Sequence, residues 1–159
     1  MKLLDSRRVT GPGLLLDGPG AVMDVALDEP ARDRAIEAWR EAATRMLAAI
    51  GLPDARLRSR HFQGGATLGF TAPADVLYTA TELNEWAWAS AEAVMTGSGT
   101  AAIEHETARL RAALELERNP ALVAMLTAAR EHGVNFLAGE EAVSVGSGTG
   151  VLVWPEREL

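Results

Sequence analysis

Three arginines at every second position, Arg56, Arg58 and Arg60, are the sharpest chemical signal in this 159-residue chain. Side chains two apart on an extended strand share a face, so the spacing sets three guanidinium groups in a row. A guanidinium donates in a planar fork that matches a carboxylate or phosphate. The row is therefore either an anion-recognising surface or a solvated face paired with the protein's own Asp and Glu. Arg7 and Arg8 join the same candidate set if their segment pairs into the same sheet. A second cluster, Glu82 and Glu85, has the three-residue spacing that puts two carboxylates on one helix face, as a general acid and base require; bridging to the arginines is the alternative. Trp86 and Trp88 lie beside them. At roughly 200° apart on a helix they cannot both face one core, so one is expected to meet a second lobe, a partner or another subunit.

Other catalytic and ligand sets fail on residue type or spacing. His61, His105 and His132 show neither HxxxH nor HExxH, and the neighbours Glu104, His105 and Glu106 diverge by ~100° per residue on a helix, so no metal site is expected. The chain has no cysteine and no GxSxG serine. Gly146-Ser147-Gly148-Thr149-Gly150 superficially resembles a phosphate loop, but Val151 to Trp154 after it reads as a strand rather than a helix, which makes a hairpin turn the expectation. No GxxxxGK[ST] occurs and Lys2 is the sole lysine, which excludes a P-loop ATPase.

Composition bounds the class. At 23% charged and 48% hydrophobic residues the chain is of ordinary globular type, not disordered and not a disulfide-stapled module. The net charge of −7 is unevenly spread. Residues 1–60 hold ten cations against nine carboxylates, and residues 61–159 hold five against thirteen. An acidic total is poorly suited to nonspecific nucleic-acid or anionic-membrane binding. No apolar run reaches the roughly 18 to 20 residues of a membrane span, and Asp5, Arg7 and Arg8 interrupt any signal-like core, so a soluble cytoplasmic protein is expected.

The elements that must position these residues follow from periodicity and turn chemistry. Lys2 to Val9 and Gly20 to Leu27 read as strands separated by two glycine-proline corners. Asp28 is placed to cap a helix through Ile50, with Pro30 in its first turn and Gly51 beyond its end. Ala55 to Phe62 and Ala66 to Phe70 form a hairpin around Gln63-Gly64-Gly65. Helices are expected from Pro73 to Met95, Ala101 to Arg118 and Pro120 to Glu131, with a flexible break at residues 96–100. Val134 to Leu137, Ala142 to Val145 and Val151 to Trp154 complete the set as short strands. The order predicts an α+β fold, a small antiparallel or mixed sheet packed with about four helices, as one domain over 1–159 with possible lobes 1–96 and 101–159.

The ordered motifs carry a family resemblance. Arg7-Arg8-Val9-Thr10-Gly11-Pro12 followed by Leu14-Leu15-Leu16 is similar to the "RxLxGPN" opening of cyanophycin synthetases and their shorter Mur-ligase-like relatives, with Gly13 in place of the Asn. Gly65 to Phe70 and the helix Tyr78 to Trp88 resemble the glycine-threonine hairpin and "EHVALEL"-type helix of the same N-terminal domain. Ala128 to Val134 and Val143 to Gly148 resemble the "AARxRGIP" and "LGYG" stretches that lead into the catalytic part. The resemblance implies a noncatalytic accessory domain that holds an Asp/Arg-type peptide or polymer. ATP and Mg would then belong to a Mur-ligase-like or ATP-grasp module in cis or in trans, with no cofactor in this chain. On that basis Arg7, Arg8, Arg56, Arg58, Arg60, Glu82 and Glu85 are the candidate substrate-binding residues, with no catalytic and no metal-binding residue, and a homo-oligomer is allowed. The alternatives are a small stand-alone enzyme using Glu82 and Glu85, or an assembly module that binds a partner subunit through its tryptophan face.

Overall fold

In a computed structural model that describes residues 1–98, 103–139 and 142–155, the chain divides into two compact units, Met1–Glu117 and Arg118–Leu159. The first is built on four strands, β1 (Lys2–Val9), β2 (Gly20–Ala26), β3 (Leu57–Phe62) and β4 (Gly65–Thr71). They pair antiparallel throughout in the order β1-β2-β4-β3, which puts β1 and β3 on opposite edges. Strand alternation sends Ala21, Met23 and Val25 of β2 and Ala66, Leu68 and Phe70 of β4 to one face, all fully buried.

Helices cover that face. α1 (Glu29–Ile50) presents Ile36, Trp39, Ala43, Met46, Leu47 and Ile50 at the three- and four-residue spacing of a single buried stripe. α2 (Leu77–Thr96) adds Leu83, Ala87, Trp88 and Ala91, and α3 (Ile103–Glu117) closes over both with Leu110 and Leu114. Inside this layer Trp39 Nε1 donates to Asn84 Oδ1 at 2.9 Å, a buried polar bond that ties α1 to α2. α1 ends where Gly51 adopts φ +90°, and Leu52 N donates back to Leu47 O at 2.8 Å.

Two details depart from the sequence reading. Asp28 makes no side-chain cap; Pro30 in the first turn already removes one of the amides that a cap would serve. α2 begins at Leu77, not near Pro73, because residues 73–76 close a turn of their own and the acceptor for the helix start comes from far along the chain. Glu117, at the end of α3, accepts from Tyr78 N at 2.6 Å and Thr79 N at 2.8 Å. A carboxylate there satisfies two amides and complements the positive end of the helix dipole.

The second unit holds α4 (Pro120–Glu131) and a three-stranded antiparallel sheet, β5 (Phe136–Ala138), β6 (Ala142–Val145) and β7 (Leu152–Pro155), in that order. Asn119 caps α4 through Leu122 N at 3.1 Å, and Pro120 occupies its first turn. The Gly146–Gly150 segment joins β6 to β7 as a hairpin, with a single 3-10 turn at Gly148–Gly150.

The architecture is therefore α+β, with four helices and two antiparallel sheets among the described residues. The boundary between the units falls after Glu117, and Leu110 and Leu114 of α3 belong to the core of the first unit. Of the expected break, Gly99 and Thr100 lie outside the described residues, as do Ala101 and Ala102, where the sequence reading starts the next helix. No helix among the described residues is long and apolar enough to cross a membrane.

Candidate functional site

The face of the four-stranded sheet that the helices leave open is where the chemistry collects. Strand register sets its side chains in rows. Asp5, Asp24, Thr67 and Arg60 lie across β1, β2, β4 and β3 in one row, and Arg7, Val22, Gly69 and Arg58 form the next. Residues 10–19, between β1 and β2, fold back over part of this face as a strap. Gly13 N donates to Leu16 O at 2.8 Å within it, and Leu16 is 3% exposed while Leu14 is 89% exposed. Glycines under the strap make the close approach possible. A Cβ on Gly69 would stand 3.1 Å from Leu15 Cδ2 and 2.6 Å from Ala21 O, and one on Gly20 would stand 2.8 Å from Leu16 Cδ1.

Between the strap and the strands lies a cavity of about 580 Å³ lined by Leu4, Val9, Leu14, Leu15, Leu16, Val22 and Phe62, with Asp5, Arg7, Asp24, Thr67 and Arg60 as its charged and polar members. Its centre is a closed hydrogen-bond network. Arg7 Nη1 bridges Asp5 and Asp24, the latter at 2.7 Å, and Thr67 Oγ1 donates to Asp24 Oδ1 at 2.7 Å. Burial pushes the Asp24 carboxyl up, but the hydrogen bonds from Thr67 and Arg7 and the charges of Arg7 and Arg60 outweigh it and hold the group below its ordinary range. The same contact with Asp24, against some desolvation, raises Arg7. A carboxyl so held is a fixed anion at neutral pH, the opposite of what a general acid needs.

The five candidate arginines end in four different situations. Arg7 is locked between Asp5 and Asp24. Arg8, its chain neighbour, points to the other side of the sheet and lies over the Tyr78 ring, 3.8 Å from the centroid. It is therefore not part of the arginine row. Arg56 pairs with Asp17 of the strap at 2.9 Å and fastens the strap to β3. Arg58 and Arg60 remain exposed on the open face, and among the described residues neither has a carboxylate within ion-pair distance. Arg58 donates to the carbonyl of Leu57 at 3.2 Å. Strand order also separates Arg7 from Arg58: two strands intervene, about 14 Å at the usual inter-strand spacing.

Glu82 and Glu85 are not brought into this cavity. Glu82 accepts from Arg109 Nη1 at 2.7 Å, and the same guanidinium donates to Glu106 at 2.6 Å. These bonds, Glu106 first, raise the Arg109 pKa and make the three side chains a structural bridge between α2 and α3. Glu85 is exposed on the same helix. The tryptophans also differ from expectation: Trp88 is buried at 2% exposure, and Trp86 is half-buried and packs against the same core. Both touch one core, since a ring as large as indole reaches the core margin even from the flank of the helix.

Neither a family model nor a curated protein matches this chain.

Residues that sequence reasoning missed are the ones that complete the cavity. Asp24 lies in a strand of apolar residues, Ala21 to Val25, and its place two after Val22 was the available signal that both face the open side. Asp5, Thr67 and the Leu14 to Leu16 strap join it only through the pairing of β1, β2 and β4, which the sequence does not spell out.

Proposed function

We propose that this chain is a noncatalytic, substrate-holding domain that works beside an ATP-dependent carboxylate–amine ligase of the cyanophycin-synthetase type, and that it holds peptide or polymer carboxylates on the open sheet face. The observation that carries the reading is the pair Arg58 and Arg60. They are two guanidinium groups on one face of an edge strand with no carboxylate at ion-pair distance among the described residues, whereas Arg7, Arg56 and Arg109 are each paired. Side chains two apart on a strand are about 7 Å apart, a spacing that suits successive carboxylates on an extended acidic peptide. Arg7, Asp5 and Asp24 then act as the rigid floor of the site, and the Asp5 and Asp24 side offers counter-charge to a ligand's basic group.

The ligase chemistry itself would come from a Mur-ligase-like or ATP-grasp module, in cis or in trans. The residues of this chain do not fit a P-loop. Lys2 is its sole lysine and stands at the exposed start of β1, and the glycine-rich Gly146–Gly150 segment closes a hairpin instead of opening an α-helix. The reading of Glu82 and Glu85 as acid and base loses support because Glu82 is held by Arg109.

Calorimetric titration of the protein with Asp/Arg peptides tests this. Binding should weaken as salt screens the exposed arginines, and Arg58→Ala should cost about tenfold in affinity, in line with the loss of one charge-assisted hydrogen bond. No heat at millimolar peptide overturns the proposal.

A further inference from the structure

The cavity beside Arg60 has a lining that a fully charged peptide does not use. We propose that it binds the aliphatic body of a small amphipathic monocarboxylate, with the ligand's carboxylate on Arg60 and its hydrocarbon chain between the strap and the sheet. This goes beyond the peptide-holding role and shares with it only the use of Arg60.

Four observations meet here. The volume, about 580 Å³, lies in the range typical of small-molecule sites. The walls are apolar where they are not committed: Leu4, Val9, Leu14, Val22 and Phe62 offer only hydrocarbon. The polar groups at its floor are satisfied among themselves, since Arg7 and Thr67 both donate to Asp24. A ligand therefore displaces no internal hydrogen bond on entering, and gains by covering Leu4 and Leu14, which are 52% and 89% exposed. Arg60 stands at the edge of that apolar space with no carboxylate at ion-pair distance among the described residues. It acts on Asp24 through space alone. Charge thus selects one anionic end, and the lining selects an aliphatic remainder. A dicarboxylate would put a hydrated charge where the hydrocarbon chain covers Leu4 and Leu14, and so forgo that apolar contact.

Hexanoate, hexan-1-ol and succinate are the probes, each titrated into the full chain and followed by amide shifts in nuclear magnetic resonance spectra. Hexanoate should move the amides of Leu15, Val22, Thr67 and Arg60, and bind at least tenfold more tightly than succinate. Arg60→Gln should weaken hexanoate about tenfold and leave hexan-1-ol unchanged. Leu14→Ser, at a position too exposed to affect folding, should weaken both. Equal affinity for succinate and hexanoate, or an Arg60→Gln variant that binds hexanoate as the parent does, overturns the assignment. If the Asp/Arg peptide binds while hexanoate moves no cavity amide at millimolar concentration, the cavity assignment falls and the peptide-holding role stands. If hexanoate binds in the cavity and the peptide gives no heat, the peptide-holding role falls and the cavity assignment stands.

Discussion

The two faces of the four-stranded sheet are made from the same strands, residue by residue, and do opposite things. Arg7 and Arg8 are adjacent, yet one lies in the hydrogen-bonded floor of a cavity and the other stacks on Tyr78 on the far side. Met23 is fully buried beneath the helices, while Asp24 next to it is part of a charged network. The helix face is closed by α1, α2 and α3 and derives its strength from apolar burial. The open face is covered only by a short strap, and its free chemistry is confined to Arg58 and Arg60 on the β3 edge. On the proposed role, the pleat of a single sheet would separate stability from binding.

If that separation holds, substitutions on the two faces should fall into distinct classes. The largest effect belongs to the helix face: Leu68→Ala, at a fully buried position, should destabilise by about 2 to 5 kcal/mol through lost burial and the cavity left behind, measured by denaturant unfolding. Asn84→Ala should cost about 1 to 3 kcal/mol, because it leaves the Trp39 indole N–H buried without its acceptor. Gly69→Ala sharpens the contrast from the open side. Its Cβ meets Ala21 O at 2.6 Å and Leu15 at 3.1 Å, so about 1 to 3 kcal/mol and a displaced strap are expected, with loss of ligand binding exceeding the loss of stability.

Acid separates the faces in another way. Asp24 is held below its ordinary pKa, so its contribution is fully present above the unfolded carboxyl value near ~4 and is lost as pH falls through the lower folded value. The stability advantage of the parent over Asp24→Asn should accordingly shrink on acidification, while the cost of Leu68→Ala stays constant over the same interval. The smallest expected change is Arg58→Ala, within about 0.5 kcal/mol of the parent in stability, although it should remove most peptide affinity.

Much of the first unit was legible because its elements carry strong local signals. Glycine-proline corners marked β1 and β2, alternation and the Gln63-Gly64-Gly65 turn marked the β3–β4 hairpin, the three- and four-residue stripe marked α1, and Asn119-Pro120 marked the start of α4. What local pattern could not supply was anything decided by pairing. The period of two at Arg56, Arg58 and Arg60 gave their shared face, but strand order determined that two strands would separate Arg7 from them, and the path of the strap that Arg56 would meet Asp17. The start of α2 was hidden for a similar reason, since its cap, Glu117, lies 38 to 39 residues further along the chain. Glu82 was read for its spacing to Glu85, whereas its environment is set by Arg109 on a different helix.

Mapping an Asp/Arg peptide by amide chemical shifts tests the division of the sheet most directly. The account predicts that the largest shifts fall on Arg58, Arg60, Thr67 and Gly69 of β3 and β4, and that they vanish in an Arg58→Ala, Arg60→Ala double variant of unchanged stability. Shifts centred on α1 and α2, or an undiminished response in the double variant, would contradict it.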